Sequence, residues 1–297
     1  MVGLEVYEDQ KKFSTELFRK KGFDLETMTE KERIDWTKEI LLSLHKEISE
    51  VLDTLDWKLH RKKQTGRLIK GNLIEEIVDA QKYLWNIPVL WGMTWEDLEE
   101  AYWRKSFVVQ KRFETEHSIL KPKVLITDLD GVLGEYPKGF LDWVKKTHSS
   151  VELDSKESNP VLWEELKDEF RSTGGELTIS PIKGSREALH GFRNRDWSIV
   201  VLTHRPVTRY KSLEYDTLKW LDTNDLLYDK IFWAELEKSF YLLEGVVGGT
   251  VFVDDSLDIC KTMKSLVSRV YYVGHKKETG IITVSSLEEV AKSEQVL

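Results

Sequence analysis

Apolar residues in the first 120 positions recur every three or four residues, with almost no alternating runs. A first helix is predicted over about 5–21. The capping-box pattern Thr29-Glu30-Lys31-Glu32 opens a second. Its apolar positions Ile34, Ile40, Leu41, Leu44, Ile48, Val51, Leu52 and Leu55 continue to about residue 60. The basic stretch from Lys58 to Lys70, with Gly66 inside it, reads as a loop. A third helix covers about 70–86 and ends near Asn86-Ile87-Pro88. A fourth starts at Thr94-Trp95-Glu96-Asp97 and runs to about His117. After Lys121-Pro122 the period changes. Short apolar runs at 123–127, 198–202, 230–234, 250–253 and 269–273 alternate with helical stretches, the pattern of a parallel sheet with crossover helices. The expectation is an all-α helical bundle domain over 1–120, followed by an α/β domain over 121–297. Residues 135–180 carry Tyr136, Phe140, Trp143, Trp163 and Phe170 at helical spacing. They are expected to form a small helical cap, with these rings as its own core.

Composition narrows the partners. At 297 residues and 40% hydrophobic content, the chain can bury two ordinary cores. A net charge of −8 gives no basic footprint, so stable nucleic-acid binding is not expected, while small phosphorylated substrates stay open. Cys260 is the single cysteine, which rules out an internal disulfide and fits a reducing cytoplasm. The start, Met1 to Asp9, is too acidic and broken for a signal peptide. No run of about 18 apolar residues exists, so no membrane span is expected.

Two acidic pairs stand out in the helical half. Glu47 and Glu50 are three apart on the second helix, and Glu76 and Asp79 are three apart on the third. Residues three apart lie about 60° from each other around a helix, so each pair shares a face. Both pairs sit among apolar neighbours, where unpaired carboxylates are costly. Four carboxylates meeting across two packed helices would suit magnesium, a hard cation with oxygen ligands. The pattern Glu47-x-x-Glu50 followed by Glu76-x-x-Asp79 resembles the all-α nucleoside triphosphate pyrophosphatases, the MazG and dimeric dUTPase superfamily. Trp57-Lys58 resembles that family's aromatic-lysine element, and Tyr102-Trp103-Arg104-Lys105 through Lys111-Arg112-Phe113 resembles its fourth helix. The resemblance covers about residues 5–117. It implies that Glu47, Glu50, Glu76 and Asp79 bind Mg2+, that Lys58, Lys105 and Arg112 contact phosphates, and that Gln10 reads the base. It also implies a homodimer through the helical domain. Ser106 and Val109 stand where family members often carry asparagine.

The run Lys123-Val124-Leu125-Ile126-Thr127-Asp128-Leu129-Asp130-Gly131-Val132 is an apolar strand entering two aspartates at i, i+2. Such residues project to one side of a strand. Open α/β sheets place ligand sites at that end of their strands, and two carboxylates there call for a cation. Ile199-Val200-Val201-Leu202-Thr203 is a buried strand ending in a hydroxyl. Lys238 follows the 231–234 run, and Val251-Phe252-Val253-Asp254-Asp255 ends in an acidic pair. In this order the four elements resemble motifs I to IV of the haloacid dehalogenase-like hydrolases, over about residues 122–297. The resemblance implies a parallel sheet with a helical cap. Asp128 would be a nucleophile that forms an aspartyl-phosphate, and Asp130 a general acid and base. Thr203 and Lys238 would hold phosphoryl oxygens, and Asp128, Asp130, Asp254 and Asp255 would form a second Mg2+ site. Thr203-His204-Arg205-Pro206 and Trp220-Leu221 loosely resemble the deoxyribonucleotidase branch. His204 and Arg205, just past a strand end, are expected at the surface.

Two readings follow. In one, the chain is a cytoplasmic, bifunctional nucleotide-pool hydrolase: the helical half converts a dNTP, with dUTP or dCTP foremost, to dNMP and pyrophosphate, and the α/β half removes the last phosphate. In the other, only the α/β half is catalytic, on another phosphomonoester, and the helical half is an inert dimerisation or nucleotide-sensing module.

Overall fold

The computed structural model describes residues 2–55, 70–234, 237–238 and 250–294. It divides into two compact units, 1–103 and 104–297. The first is helical: α1 Val2–Lys20, α2 Glu30–Asp53, α3 Lys70–Leu90 and the opening turns of α4, Trp95–Glu116. Thr29 and Glu32 cap α2 reciprocally. The Thr29 hydroxyl accepts the Glu32 N–H at 3.3 Å, and the Glu32 carboxylate accepts the Thr29 N–H at 2.9 Å. Helix α3 continues past Asn86 to Leu90. There Pro88 forfeits only one N–H bond in the last turn, and the burial of Pro88, Val89 and Leu90 offsets it. The core gathers Phe18, Met28, Ile40 and Leu90, with Trp36 edge-on to Phe18 and Phe23 at centroid distances of 5.1 and 5.3 Å.

Much of the apolar pattern read from the helical half does not enter this core. Ile40 is buried, but Ile34, Leu41, Ile48 and Leu52 on α2 and Ile74, Ile77 and Val78 on α3 are exposed. An apolar groove of about 600 Å³ lies beside Trp85, Ile87, Trp95, Leu98, Tyr102 and Trp103.

The second unit begins within α4. Phe107 meets Tyr215 at 5.6 Å, Lys111 pairs with Asp222 at 3.3 Å, and Arg112 forms a two-pronged pair with Glu214. The sheet holds β1 Val124–Thr127, β2 Ser198–Thr203, β3 Lys230–Trp233, β4 Val251–Asp254, β5 Arg269–Val273 and β6 Ile282–Val284. All pairings are parallel and the order is β3-β2-β1-β4-β5-β6. Buried on both faces, β1, β2 and β4 read as continuous apolar runs rather than alternating ones. The sixth strand escaped the sequence reading because three residues at a half-exposed edge carry little pattern. Among the described residues, no helix is long and apolar enough to cross a membrane.

Between β1 and β2 the chain makes the helical insert expected from its aromatic spacing: α5 Lys138–Thr147, α6 Pro160–Ser172 and a 3-10 turn at Gly175–Thr178. Phe140, Trp163 and Phe170 are buried, with Phe140 at 4.8 Å from Trp163 and 5.3 Å from Phe170, so these rings are the insert's own core. The sheet is backed by α7 Ser185–Asn194, α8 Lys211–Thr223, α9 Leu257–Met263 and α10 Leu287–Ser293. Phe252→Ala would empty a fully buried position on the inner strand β4. It is expected to cost about 3–5 kcal/mol, read as a lower urea midpoint for the sheet unit.

Candidate functional site

The strand order places one end of the sheet apart from the rest. From β1 the chain winds outward through β2 and β3, then returns to β4 on the other side. The crevice at the carboxyl ends of β1 and β4 is therefore the topological switch point, where open α/β sheets hold ligands. The register pairs Thr127 with Val253, so Asp128 and Asp254 follow side by side. The Asp128 N–H donates to the Val253 carbonyl at 2.9 Å, continuing the ladder to the acid itself. On the other flank Thr127 pairs with Val201, which brings Thr203 level with the Asp128–Asp130 loop.

Lys238, 3% exposed, lies between the two acids. Its Nζ is 2.8 Å from Asp128 Oδ1 and donates to Asp254 Oδ2 at 2.7 Å. Although burial disfavours its charge, Asp128 and Asp254 hold the ammonium above its usual range. Burial, with Asp254 alongside, pushes the Asp128 carboxyl up to about 8 against the pull of Lys238. An ionised Asp128 at neutral pH therefore needs more positive charge nearby. The donor set fits a cation: oxygens of Asp128, Asp254 and Asp255 lie within 4.8 Å of one another. All-carboxylate sets suit magnesium. Gly131 makes this approach possible. Its φ is +81°, and a Cβ there would lie 2.0 Å from Asp255 Oδ2.

Asp130 stands outside the three-acid cluster. Arg205 grips it, with Nε at 3.1 Å and a terminal nitrogen at 2.6 Å. Arg205 was expected at the surface, but it is 1% exposed. The reason is tertiary: Asp130 from the β1 loop, Glu176 of the insert at 2.8 Å and the Thr217 hydroxyl at 2.9 Å converge on one guanidinium and make its burial tolerable. Burial opposes ionisation of Asp130, yet Arg205 holds its carboxyl below the ordinary range. The more deeply buried Glu176 is pushed up by burial to about 7, with Arg205 only partly offsetting this. His204 is exposed, as expected. Spacing along the chain carried no signal for Glu176, 46 residues from Asp130.

In the helical unit, Glu47, Glu50 and Glu76 bring carboxylate oxygens within 4.8 Å of one another, again an oxygen-only set. Asp79 is exposed and does not join that cluster. Burial, then Glu50, pushes the Glu47 carboxyl up, while Lys46 at 2.6 Å holds Glu50 down. Gln10 is 5% exposed, and its amide donates to Asn86 Oδ1 at 2.8 Å and Ser14 Oγ at 3.1 Å. Lys105 and Arg112 fall in the second unit, where Lys105 is exposed and Arg112 pairs with Glu214. Lys58 lies outside the described residues.

No family model matches the chain, and no curated protein matches it. Solved structures do resemble part of it. A predicted phosphatase from Clostridium acetobutylicum is 17% identical, covering 59% of this chain and 99% of its own, with a TM-score of 0.44. D,D-heptose 1,7-bisphosphate phosphatase from B. bronchiseptica, complexed with magnesium and phosphate, is 16% identical over 59% and 98%, with a TM-score of 0.39. Phosphoserine phosphatase from T. onnurineus is 14% identical over 59% and 96%, also with a TM-score of 0.39.

Two outcomes test this geometry. Gly131→Ala forces a left-handed backbone and a clash with Asp255, so magnesium affinity should fall at least about tenfold by isothermal titration, in the range seen when groups that orient metal ligands are lost. Glu176 holds its proton more tightly folded than unfolded, so its contribution to stability should decline as pH rises from 4.5 towards about 7 and level off above that. Thermal midpoints across that window should show a flatter profile for Glu176→Gln.

Proposed function

We propose that the α/β unit is a magnesium-dependent phosphomonoesterase working through an aspartyl-phosphate on Asp128. The observation that supports this most is Asp128 and Asp254 paired at the switch point with Lys238 bridging them. Four aspartates (128, 130, 254 and 255) against Lys238 and Arg205 leave two negative charges unmatched when all are ionised. That cluster would repel a phosphate dianion by itself. Asp128, Asp254 and Asp255, with the Asp130 carbonyl, would hold magnesium, which would supply the missing charge.

An Asp128 oxygen attacks phosphorus, and the ester P–O bond breaks. Asp130 gives its proton to the leaving oxygen, then takes one from the water that releases phosphate. Thr203 and Lys238 hold the phosphoryl oxygens as charge shifts onto them. Arg205 favours the carboxylate form of Asp130, which suits the second step. The first step needs a protonated Asp130, so substrate entry has to loosen that grip.

For the helical unit we propose magnesium-dependent hydrolysis of a dNTP, dUTP or dCTP foremost, to dNMP and pyrophosphate. Glu47, Glu50 and Glu76 would hold the metal, with Asp79 joining when substrate arrives. Arg112 would have to leave Glu214 to serve a phosphate. The dNMP released is then a candidate substrate for Asp128. The exposed apolar residues of α2 and α3 support a twofold homodimer through these helices. The Lys46–Glu50 pair favours a second reading, since it already satisfies one of the metal carboxylates: a helical unit that senses nucleotide or dimerises without turnover.

Product analysis separates these readings. Each dNTP is incubated with protein and magnesium, and dNMP, nucleoside, pyrophosphate and phosphate are resolved by chromatography. Asp128→Asn is expected to cut phosphate release at least about a thousandfold while pyrophosphate still forms. Glu47→Gln should stop pyrophosphate release and, with no dNMP formed, phosphate release from dNTP as well, while dNMP supplied directly is still dephosphorylated. Unchanged dNTP turnover in Glu47→Gln would remove the pyrophosphatase. Light scattering should give twice the chain mass of 34.8 kDa, and Ile74→Glu with Ile77→Glu should halve it.

A further inference from the structure

The insert presents hydrogen-bond donors with nothing to receive them. The Tyr136 hydroxyl and the Arg171 Nε are buried atoms that find no hydrogen-bond partner among the described residues. Glu176 Oε1 is the nearest carboxylate oxygen to that Nε, at 3.8 Å, too far for a hydrogen bond. Lys167, half-buried, lies one turn before Arg171 on α6, with Nζ 5.4 Å from the Tyr136 ring centroid. No carboxylate lies within ion-pair distance of Lys167 among the described residues. Burial, and then Arg171, push its ammonium below the usual range against the pull of Glu164 and Asp130. Asp130 acts on both Tyr136 and Lys167, so the group sits beside the catalytic loop.

The shared chemistry is one-sided: two cations and a phenol all donate, and buried donors left unmade are costly. The scissile phosphoryl cannot satisfy them, because it belongs at Asp128 with Thr203 and Lys238. We propose that Lys167, Arg171 and Tyr136 bind a second anionic group of the substrate, so that the α/β unit prefers phosphomonoesters carrying another phosphate or a carboxylate. This rests on the phosphatase reading and narrows it. A plain dNMP offers these donors only a neutral nucleoside, and a doubly anionic ester offers them their missing acceptor. Charge-assisted bonds of this type are about twice as strong as neutral ones.

The test is a kcat/KM panel in magnesium: p-nitrophenyl phosphate, dNMPs, a nucleoside 3′,5′-bisphosphate, a sugar bisphosphate and a phosphorylated carboxylic acid. At least one doubly anionic class should exceed the dNMPs and p-nitrophenyl phosphate tenfold or more, and which one wins separates phosphate from carboxylate. Lys167→Met and Tyr136→Phe should each shrink that ratio at least fivefold, mostly through KM, with a weaker dependence on salt. Lys138→Ala, on the exposed face of the insert, should leave the ratio unchanged. Equal or better turnover of dNMPs by the wild type would overturn the inference while leaving the phosphatase intact. So would a Lys167→Met loss that is the same for every ester. Absence of magnesium-dependent hydrolysis of every ester in the panel would remove the phosphatase reading and this inference with it.

Discussion

Crowded negative charge at the carboxyl ends of β1 and β4 is the constraint on which the second unit turns. Parallel pairing sets Asp128 against Asp254, and Asp255 and Asp130 follow within two residues. Each neighbouring charge makes the next ionisation harder. The fold answers with two buried cations drawn from elsewhere, Lys238 between the strand acids and Arg205 on Asp130. They leave a deficit that a divalent cation matches, and that deficit links the sheet's topology to its chemistry.

Arg205 also joins the insert to the Asp128–Asp130 loop. Its other carboxylate partner, Glu176, lies on the insert's 3-10 turn, and Thr217 lies on α8. One guanidinium thus holds a loop, an insert and a helix in register. Burying it is costly unless all its partners are present, so the arrangement resists partial loss. It also sets the two carboxyls apart: one guanidinium holds Asp130 ionised and leaves the deeper Glu176 nearer to its proton. The donors Tyr136, Lys167 and Arg171 lie beside this charge system, with Arg171 Nε 3.8 Å from Glu176 Oε1.

The helical unit follows a looser version of the same rule. Three carboxylates meet across α2 and α3, but Lys46 from within α2 satisfies one of them, and Asp79 stays exposed. Its core is small, and much of its apolar surface faces outward. Two patterns in one helix, apolar stripe and acidic pair, compete for burial, and within a single copy of the chain neither is fully buried.

Local pattern determined a good deal. Helical spacing located α1 to α4, the Thr29–Glu32 cap and the aromatic insert. Continuous apolar runs located β1 to β5, and β1, β2 and β4 end at or beside Asp128, Thr203 and Asp254, the residues that spacing had singled out. These features depend on neighbours within a few residues, which is where sequence is explicit. What only the tertiary structure decided depends on residues far apart in the chain: the sheet order that makes a switch point of β1 and β4, the burial of Arg205 between Asp130 and Glu176, and the unmet donors of the insert. Gln10 shows the same limit, since its amide is committed to Asn86, 76 residues away. A charged residue past a strand end is exposed unless distant partners reach it, and no window of sequence contains those partners.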